Sequence, residues 1–219
     1  MKNHFKDKVV IVTGASSGIG KETASEFARN GSKVVLASRS LDRIRQLESE
    51  LLSENHDVIA IQTDVSREEQ SLLVSRGSLV GVSSVAGFHG LPGRSGYSAS
   101  KFAMHGFLET IRIENLKKGL HVMIIAPGFT ATEIRKHALL SDGSEQGESP
   151  LNEDKLMSPT YVARWILKGI VKNKRNKILT WEGRLTALFQ RIIPHTIDRA
   201  YYNALAREKN SPLKQDWSE

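Results

Sequence analysis

Short apolar runs alternate with amphipathic stretches along this chain, and this alternation restricts the fold more than any other feature. The runs are rich in β-branched residues, which predicts buried strands, and the stretches between them repeat apolar residues at helical spacing. Strands are predicted at Val9–Thr13, Lys33–Ala37, Val58–Gln62, Ser78–Ser83, His121–Ala126 and Ile178–Trp181. Helices are predicted at Gly18–Asn30, Leu41–Ser53, Gly96–Lys118, 159–172 and 185–207, the last broken near Pro194. Strands joined by helices form a parallel sheet, so the sequence predicts a doubly wound α/β fold.

The length of 219 residues predicts a single domain over residues 1–219. Within it, residues 130–158 are polar and predict a mobile loop, and residues 185–208 predict a C-terminal helical segment. The absence of cysteine excludes a disulfide scaffold, thiolate catalysis and a Cys-ligated metal, and no metal site is predicted. No apolar window is long enough to span a bilayer or to serve as a signal segment, so we expect a cytoplasmic protein.

The net charge of +7 suits an anionic partner such as nucleic acid, a membrane surface or a phosphorylated cofactor. The densest basic run, Lys172–Lys177, is typical of a solvated helix end. No recognition helix, aromatic RNA-binding pair or His/Cys finger accompanies the charge. Nucleic acid is therefore not predicted as a partner.

A glycine-rich turn, Thr13-Gly-Ala-Ser-Ser-Gly-Ile-Gly20, lies where the first strand passes into the first helix. Gly14 permits the tight turn, Gly18 lets the backbone approach a pyrophosphate, and Gly20 lets the helix pack closely on the sheet. The helix N-terminus offers unpaired N–H groups to the anion. An ordinary turn is the alternative, and the position between strand and helix favours cofactor binding. The predicted contacts are Gly14, Ser16, Ser17, Gly18, Ile19 and Gly20.

The end of the second strand predicts which nicotinamide cofactor is used. An acidic residue there would hold a ribose 2′-hydroxyl and favour NAD, but the sequence is Ala37-Ser-Arg-Ser40. Arg39, with help from Ser38, suits a 2′-phosphate because a guanidinium pairs with phosphate through two hydrogen bonds. A plain surface arginine is the alternative. Together with the glycine-rich turn, these residues predict NADP(H) in preference to NAD(H).

Ser84, Tyr97 and Lys101 form the candidate catalytic group. Tyr97 and Lys101 lie four residues apart on the predicted long helix, so they share a face. A free tyrosine titrates near pH ~10, and a neighbouring ammonium favours the phenolate, which makes a proton donor and acceptor usable near neutrality. Ser84 follows the preceding strand, where its hydroxyl is placed to hold a substrate oxygen. The alternative is a packed tyrosine beside a solvated lysine.

These motifs, together with Asp64-Val65, Ser83-Ser84-x-Ala-Gly87 and Pro127-Gly128 with Thr132, resemble the short-chain dehydrogenase/reductase family. The order of the motifs matches as well, over residues 7–181 with one interruption. The resemblance implies a Rossmann-type sheet and NAD(P)-dependent interconversion of a carbonyl and an alcohol.

The resemblance also assigns roles to individual residues. It makes Tyr97 the acid/base, and Lys101 the residue that lowers the tyrosine pKa and binds the nicotinamide ribose. Ser84, thirteen residues before Tyr97, becomes the ligand of the substrate oxygen, with Ser83 the poorer candidate. Further cofactor contacts implied by the family are Asp64 and Val65 at the adenine and Pro127, Gly128 and Thr132 at the carboxamide end of the nicotinamide.

The sequence departs from the family between Asp64 and Ser84. The family has there a central strand ending in Asn-Asn-Ala-Gly and a long helix with a catalytic Asn, a shortfall of roughly fifty residues. At about 25 cal/mol per Å² of apolar area, the lost burial can exceed a net stability of about 5–15 kcal/mol. Either the natural protein has a segment that this sequence omits, or the chain is a shortened variant that re-pairs its strands, or it is a non-catalytic relative. The stability argument favours the first.

We therefore predict an NADP-preferring oxidoreductase for a small, probably lipophilic carbonyl or alcohol substrate, since the C-terminal segment is apolar. The alternative is a catalytically impaired cofactor-binding or scaffold protein. Arg184, Arg191 and Arg199 lie among the apolar residues of that segment, which is either a core-covering helix or a contact with a membrane surface. The resemblance also implies a homodimer or homotetramer if the missing segment is present, and weaker assembly if it is absent.

Overall fold

The computed structural model describes residues 2–67, 77–132 and 156–207, together with Leu213. The chain divides into two compact units, the first formed by residues 1–74 and 129–173 and the second by residues 75–128 and 174–219. Helices are α1 (Lys2–Phe5), α2 (Gly18–Arg29), α3 (Leu41–Ser53), α4 (Ser95–Glu114), α5 (Pro159–Val171), α6 (Trp181–Phe189) and α7 (Pro194–Ala206). Each unit contains a parallel sheet flanked by helices, so the predicted α/β fold class is confirmed. The single-domain organisation stays a prediction.

The first unit contains strands β1 (Val9–Thr13), β2 (Lys33–Ser38) and β3 (Val58–Gln62) in the order β1-β2-β3. All three are parallel. Their carboxyl ends therefore meet at one edge of the sheet, where ligands bind in open α/β sheets.

Helices cover this sheet with the residues that the helical period predicts. In α3 the buried side chains are Ile44, Leu47 and Leu51, which lie on one face of the helix. Helix α5 packs against α2, and polar contacts reinforce this packing: the Thr160 hydroxyl donates to the Glu22 carboxylate over 2.8 Å.

The second unit contains strands β4 (Gly77–Val82), β5 (Leu120–Ala126) and β6 (Asn176–Ile178), parallel and in the order β4-β5-β6. Leu108 of α4 packs into a core formed with Leu120, Val122 and Ile124 of β5. Arg112, on the next turn of α4, is buried and donates to the backbone oxygens of Val122 (3.1 Å) and Arg175 (3.4 Å). The long helix is thereby fixed to the sheet by apolar and polar contacts.

Among the described residues, β1 pairs with β2 alone and β4 pairs with β5 alone, so each is an edge strand of its sheet. On β1, Val9 is 69% exposed and Ile11 is 43% exposed, although both are strongly apolar. Exposed apolar residues on an edge strand are unusual in a stable sheet. They agree with the absence of a central strand from this sequence.

The predicted strands Val9–Thr13 and Val58–Gln62 and the predicted helix Leu41–Ser53 are confirmed with the same bounds. The predicted strand Ile178–Trp181 is wrong in part, because β6 ends at Ile178 and Trp181 begins α6. The Thr180 hydroxyl accepts a hydrogen bond from the Gly183 N–H over 3.2 Å, which caps a helix at that point. The break near Pro194 is confirmed. Most of the predicted loop, residues 133–155, lies outside the described residues.

Candidate functional site

A cleft of about 510 Å³ opens at the carboxyl ends of the three strands of the first unit. Its lining combines the glycine-rich turn with the residues that follow β2 and β3: Thr13, Gly14, Ser16, Ala37, Ser38, Arg39, Ser40, Thr63, Asp64, Val65 and Ser66. The structure thus brings together Gly14, Ser16, Ser38, Arg39, Asp64 and Val65, which the sequence predicts as cofactor contacts. Sequence reasoning missed Thr63 and Ser66, which flank Asp64.

The glycines of the turn have the geometry predicted for them. Gly14 has a φ of +71° and no atom within 4 Å of a Cβ position, so the turn is both left-handed and open there. At Gly20 a Cβ would collide with the carbonyl oxygen of Gly14, so only glycine lets α2 start this close to the turn. At Gly18, which has a φ of +54°, a Cβ would lie 3.0 Å from Cγ2 of Thr132, another predicted contact.

A second cleft of about 330 Å³ lies at the start of α2 and includes Ser16, Ser17 and Gly18 of the same turn. Lys21 and Arg43 line it as well, and sequence reasoning missed both. Lys21 is paired with Glu50 over 3.4 Å. The signal that points to these two residues is their position in the first turns of α2 and α3, where cations near a phosphate loop stand out.

Asp64 is held as a carboxylate by its neighbours in the first cleft. The Ser66 N–H and hydroxyl donate to Asp64 Oδ1 over 3.0 and 2.8 Å. These hydrogen bonds hold the pKa of Asp64 below its usual range, with a smaller contribution from the Arg39 charge. The cleft therefore contains an anion and a cation side by side.

In the second unit, Tyr97 and Lys101 lie on one face of α4 as predicted. The Lys101 Nζ atom lies 5.5 Å from the centre of the Tyr97 ring and donates to the Val82 carbonyl oxygen over 3.3 Å. Burial lowers the pKa of Lys101, because desolvation penalises the ammonium. Tyr97 itself is 38% exposed, so its ring is open to a ligand.

The two serines that follow β4 have different surroundings. Ser84 is half-buried, and its hydroxyl accepts from the Ala86 N–H over 3.2 Å at the start of a short 3-10 turn, Val85–Gly87. Ser83 is buried, and its hydroxyl lies 2.7 Å from Nε2 of His105 on α4. Ser83 is thus engaged inside the protein, whereas Ser84 is the more accessible of the pair.

Sequence reasoning missed His105, although it continues the four-residue spacing of Tyr97 and Lys101. Its ring also makes an edge contact with Phe88, with 4.5 Å between the ring centres. Burial is the main cause that lowers the pKa of His105; the Lys101 charge adds to this, and Glu109 opposes it. The neutral imidazole is therefore favoured beside Ser83.

The remaining predicted contacts divide between the two units. Pro127 and Gly128 directly follow β5, and a Cβ at Gly128 would collide with Cγ2 of Thr180. Thr132 belongs to the first unit, beside Gly18.

A family model described as short chain dehydrogenase matches this chain over residues 8–74 and 71–141, more than half of its length. The chain belongs to the short-chain dehydrogenase family. Its members are oxidoreductases. This dehydrogenase is 28% identical to "Dehydrogenase/reductase SDR family member 7B" of Danio rerio, covering 87% of this chain and 82% of the relative. It is 26% identical to "Uncharacterized oxidoreductase YxnA" of Bacillus subtilis, covering 97% of this chain and 77% of the relative.

Two solved structures share the fold of this dehydrogenase. A short-chain dehydrogenase from Sphingobium yanoikuyae in complex with NADPH superposes with a TM-score of 0.66 at 21% identity, over 93% of this chain and 97% of that one. A short-chain dehydrogenase/reductase from Burkholderia phymatum in complex with NAD gives a TM-score of 0.68 at 19% identity, over 95% and 98% of the two chains. At these identities the likeness shows the fold alone.

The comparisons also locate an interruption in this dehydrogenase. The family match is broken in two, and its parts meet at residues 71–74. The Danio rerio alignment spans 255 positions but only 87% of 219 residues, about 190, so about 65 positions lie opposite gaps in this chain. The size agrees with the shortfall of roughly fifty residues expected from the family pattern.

Proposed function

We propose that this chain is an NADP-preferring short-chain oxidoreductase that interconverts a carbonyl and an alcohol, with Tyr97 as acid/base. One observation carries the proposal: the desolvated Lys101 ammonium lies 5.5 Å from the centre of the Tyr97 ring on the same face of α4. A cation in that position stabilises the negative charge that develops on the phenol oxygen as its proton leaves.

The first unit fits a dinucleotide cofactor. The open, left-handed Gly14 and the helix that begins at Gly18 form a cradle that a side chain on Gly14 would fill. Arg39 lines the same cleft and supplies a guanidinium for a 2′-phosphate. The chemistry that such a cofactor supplies when bound is hydride transfer. The residues that would hold it are those of the turn, with Arg39 and Asp64.

The chain's own residues supply proton transfer and orientation. The Tyr97 hydroxyl gives its proton to the substrate oxygen during reduction and takes it back during oxidation. Lys101, anchored on the Val82 carbonyl oxygen, keeps a positive charge near that hydroxyl. Ser84 accepts from the Ala86 N–H, so its own O–H is the group that donates to the substrate oxygen. Ser83, bonded to His105, supports the turn instead.

The catalytic assignment is tested by Tyr97→Phe, with Tyr161→Phe, an exposed tyrosine of the first unit, as the matched control. We expect Tyr97→Phe to abolish turnover while NADPH binding, followed by fluorescence titration, is kept. Tyr161→Phe should retain both. Full turnover in Tyr97→Phe would overturn the assignment.

The cofactor preference is tested by Arg39→Ala, with the exposed Arg45 of α3 changed to alanine as the control. A charge-assisted hydrogen bond contributes about 1.5–3 kcal/mol, so the Kd for NADPH should rise about 10- to 100-fold. The Kd for NADH should barely change. If Arg39→Ala weakens both cofactors equally, the arginine does not read the 2′-phosphate.

The proposed substrate class is a lipophilic ketone or alcohol. Its support is the apolar surface of the C-terminal segment, where Leu185 and Leu188 of α6 are exposed. A panel of ketones of increasing chain length tests this proposal. Turnover confined to small polar ketones would contradict it.

A second candidate, a cofactor-binding protein without catalysis, is favoured by the open edges of β1 and β4 and by the gap of about 65 aligned positions. NADPH binding without turnover on any carbonyl would support it. The intact mass of the natural protein decides between the explanations of the gap. A mass of 24.3 kDa makes the shortening genuine, and a mass several kilodaltons higher restores the central strand and the ordinary enzyme.

A further inference from the structure

The C-terminal helices present an apolar surface outward. In α6, Trp181 (66% exposed), Leu185 and Leu188 (54% exposed) recur at helical spacing on one face, while Gly183 and Thr186 are buried on the opposite face. Ile192 and Ile193, between α6 and α7, and Tyr202 on α7 extend the exposed set. We call these six side chains the α6–α7 patch. Apolar clusters of this kind on a surface mark sites of interaction.

Specific contacts fix the patch in its outward orientation. Thr180 caps α6, and the Arg184 Nε atom donates to the Ile178 carbonyl oxygen over 2.9 Å. Helix α7 is anchored by Tyr201, whose hydroxyl lies 3.2 Å from the Thr186 hydroxyl and whose ring centre lies 4.2 Å from that of His89. The buried faces of α6 and α7 are thus committed to the second unit, and the patch is left on the outside.

The charge of this region is strongly positive. Residues 174–207 contain seven lysines and arginines against two acidic residues, which gives +5 of the chain's net +7. Arg184, Arg191 and Arg199 are exposed within or beside the patch. Helix α4 also exposes apolar residues such as Phe107 and Ile113, but it carries Glu109 and Glu114 as well. Only the α6–α7 patch, among the described residues, combines apolar exposure with an excess of arginine.

We propose that the α6–α7 patch docks on an anionic membrane surface. Its apolar side chains enter the boundary between headgroups and acyl chains, and its arginines contact lipid phosphates, as amphipathic basic helices do. Tryptophan and tyrosine suit this depth because their rings are apolar and carry one polar atom. No helix among the described residues is long and apolar enough to cross a membrane, so the mode of contact is peripheral. A symmetric contact with a second copy is disfavoured, because it would bring two strongly positive surfaces together.

The test is flotation of the full chain with vesicles of phosphatidylcholine alone and with 30% phosphatidylserine. We expect binding to the anionic vesicles only, weakened by high salt. Leu188→Glu should lose at least ten-fold in vesicle partitioning. Leu52→Glu, which changes the charge equally at an exposed leucine of α3, should partition as the unchanged chain does. Arg191→Gln with Arg199→Gln should lower partitioning about 25-fold, at about five-fold per arginine, and reduce its salt dependence.

Three results would overturn the proposal. One is the absence of flotation with anionic vesicles, and another is equal loss in Leu188→Glu and Leu52→Glu. The third is concentration-dependent self-association without vesicles that Leu188→Glu abolishes, since this would make the patch a contact between copies. None of these readouts depends on catalysis, so the outcome stands apart from the proposed oxidoreductase activity.

Discussion

A methyl group at Gly87 would wedge apart the pair formed by Ser83 and His105. A Cβ built there would lie 2.7 Å from His105 Nε2 and 2.9 Å from Ser83 Oγ, both closer than van der Waals contact allows. The two partners are themselves only 2.7 Å apart. Ser83 is buried at the end of β4, and His105 is packed against Phe88, so neither side chain has free space to yield. The substitution Gly87→Ala must therefore break the hydrogen bond or shift the turn.

The cost follows from two contributions. Overpacking a buried site typically costs about 1–3 kcal/mol. The lost hydrogen bond adds about 0.5–1.5 kcal/mol. We expect the free energy of unfolding to fall by about 2–4 kcal/mol. The control is Gly90→Ala three residues later, where a Cβ meets nothing within 4 Å, and its effect should stay within about 0.5 kcal/mol.

Urea unfolding of both variants gives the comparison, and turnover should fall in Gly87→Ala alone because the turn begins at Ser84. A double variant with His105→Ala removes the obstacle, so part of the lost stability should return as a favourable coupling. The reasoning is refuted if Gly87→Ala unfolds like Gly90→Ala. It is refuted equally if the double variant shows no coupling.

Two further predictions concern the long helix α4. Burial lowers the pKa of His105, so the unfolded chain takes up the proton first, and stability is lost as the pH falls below the ordinary histidine value of about 6.5. His105→Gln does not titrate and should lose less stability between about pH 7.5 and 5.5 in urea unfolding; equal losses would contradict this. Arg112→Met should cost about 2–4 kcal/mol, because the Val122 and Arg175 oxygens lose their donor. A chain with unchanged urea stability would show that water replaces the guanidinium at no cost.

The sequence predicted those elements whose signals are local. Leu41–Ser53 repeats its apolar residues at the helical period, and both of its bounds agree with the structure. Ile178–Trp181 misled because β-branched and aromatic residues favour strands, whereas the Thr180 cap starts a helix. Helix α1 was missed because its stability rests on Phe5 meeting Phe27, a contact that no local pattern reveals.

The candidate site was predictable to the same extent. The glycine-rich turn and the Tyr97/Lys101 pair are short motifs with fixed spacing, and the structure brings them to a cleft and to a helix face respectively. His105 was missed because its partner, Ser83, lies on another element. A contact of this kind follows from packing α4 on the sheet, and single-sequence patterns carry no information about it.

The open edge of β1 has a consequence for the life of this protein in a cell. Its backbone groups and the exposed Val9 and Ile11 form a template on which another extended chain can add a strand. Chaperones and proteases act on such surfaces, and modest losses of stability change abundance several-fold. We therefore expect the quantity of this chain to be set by folding surveillance more than by its rate of synthesis.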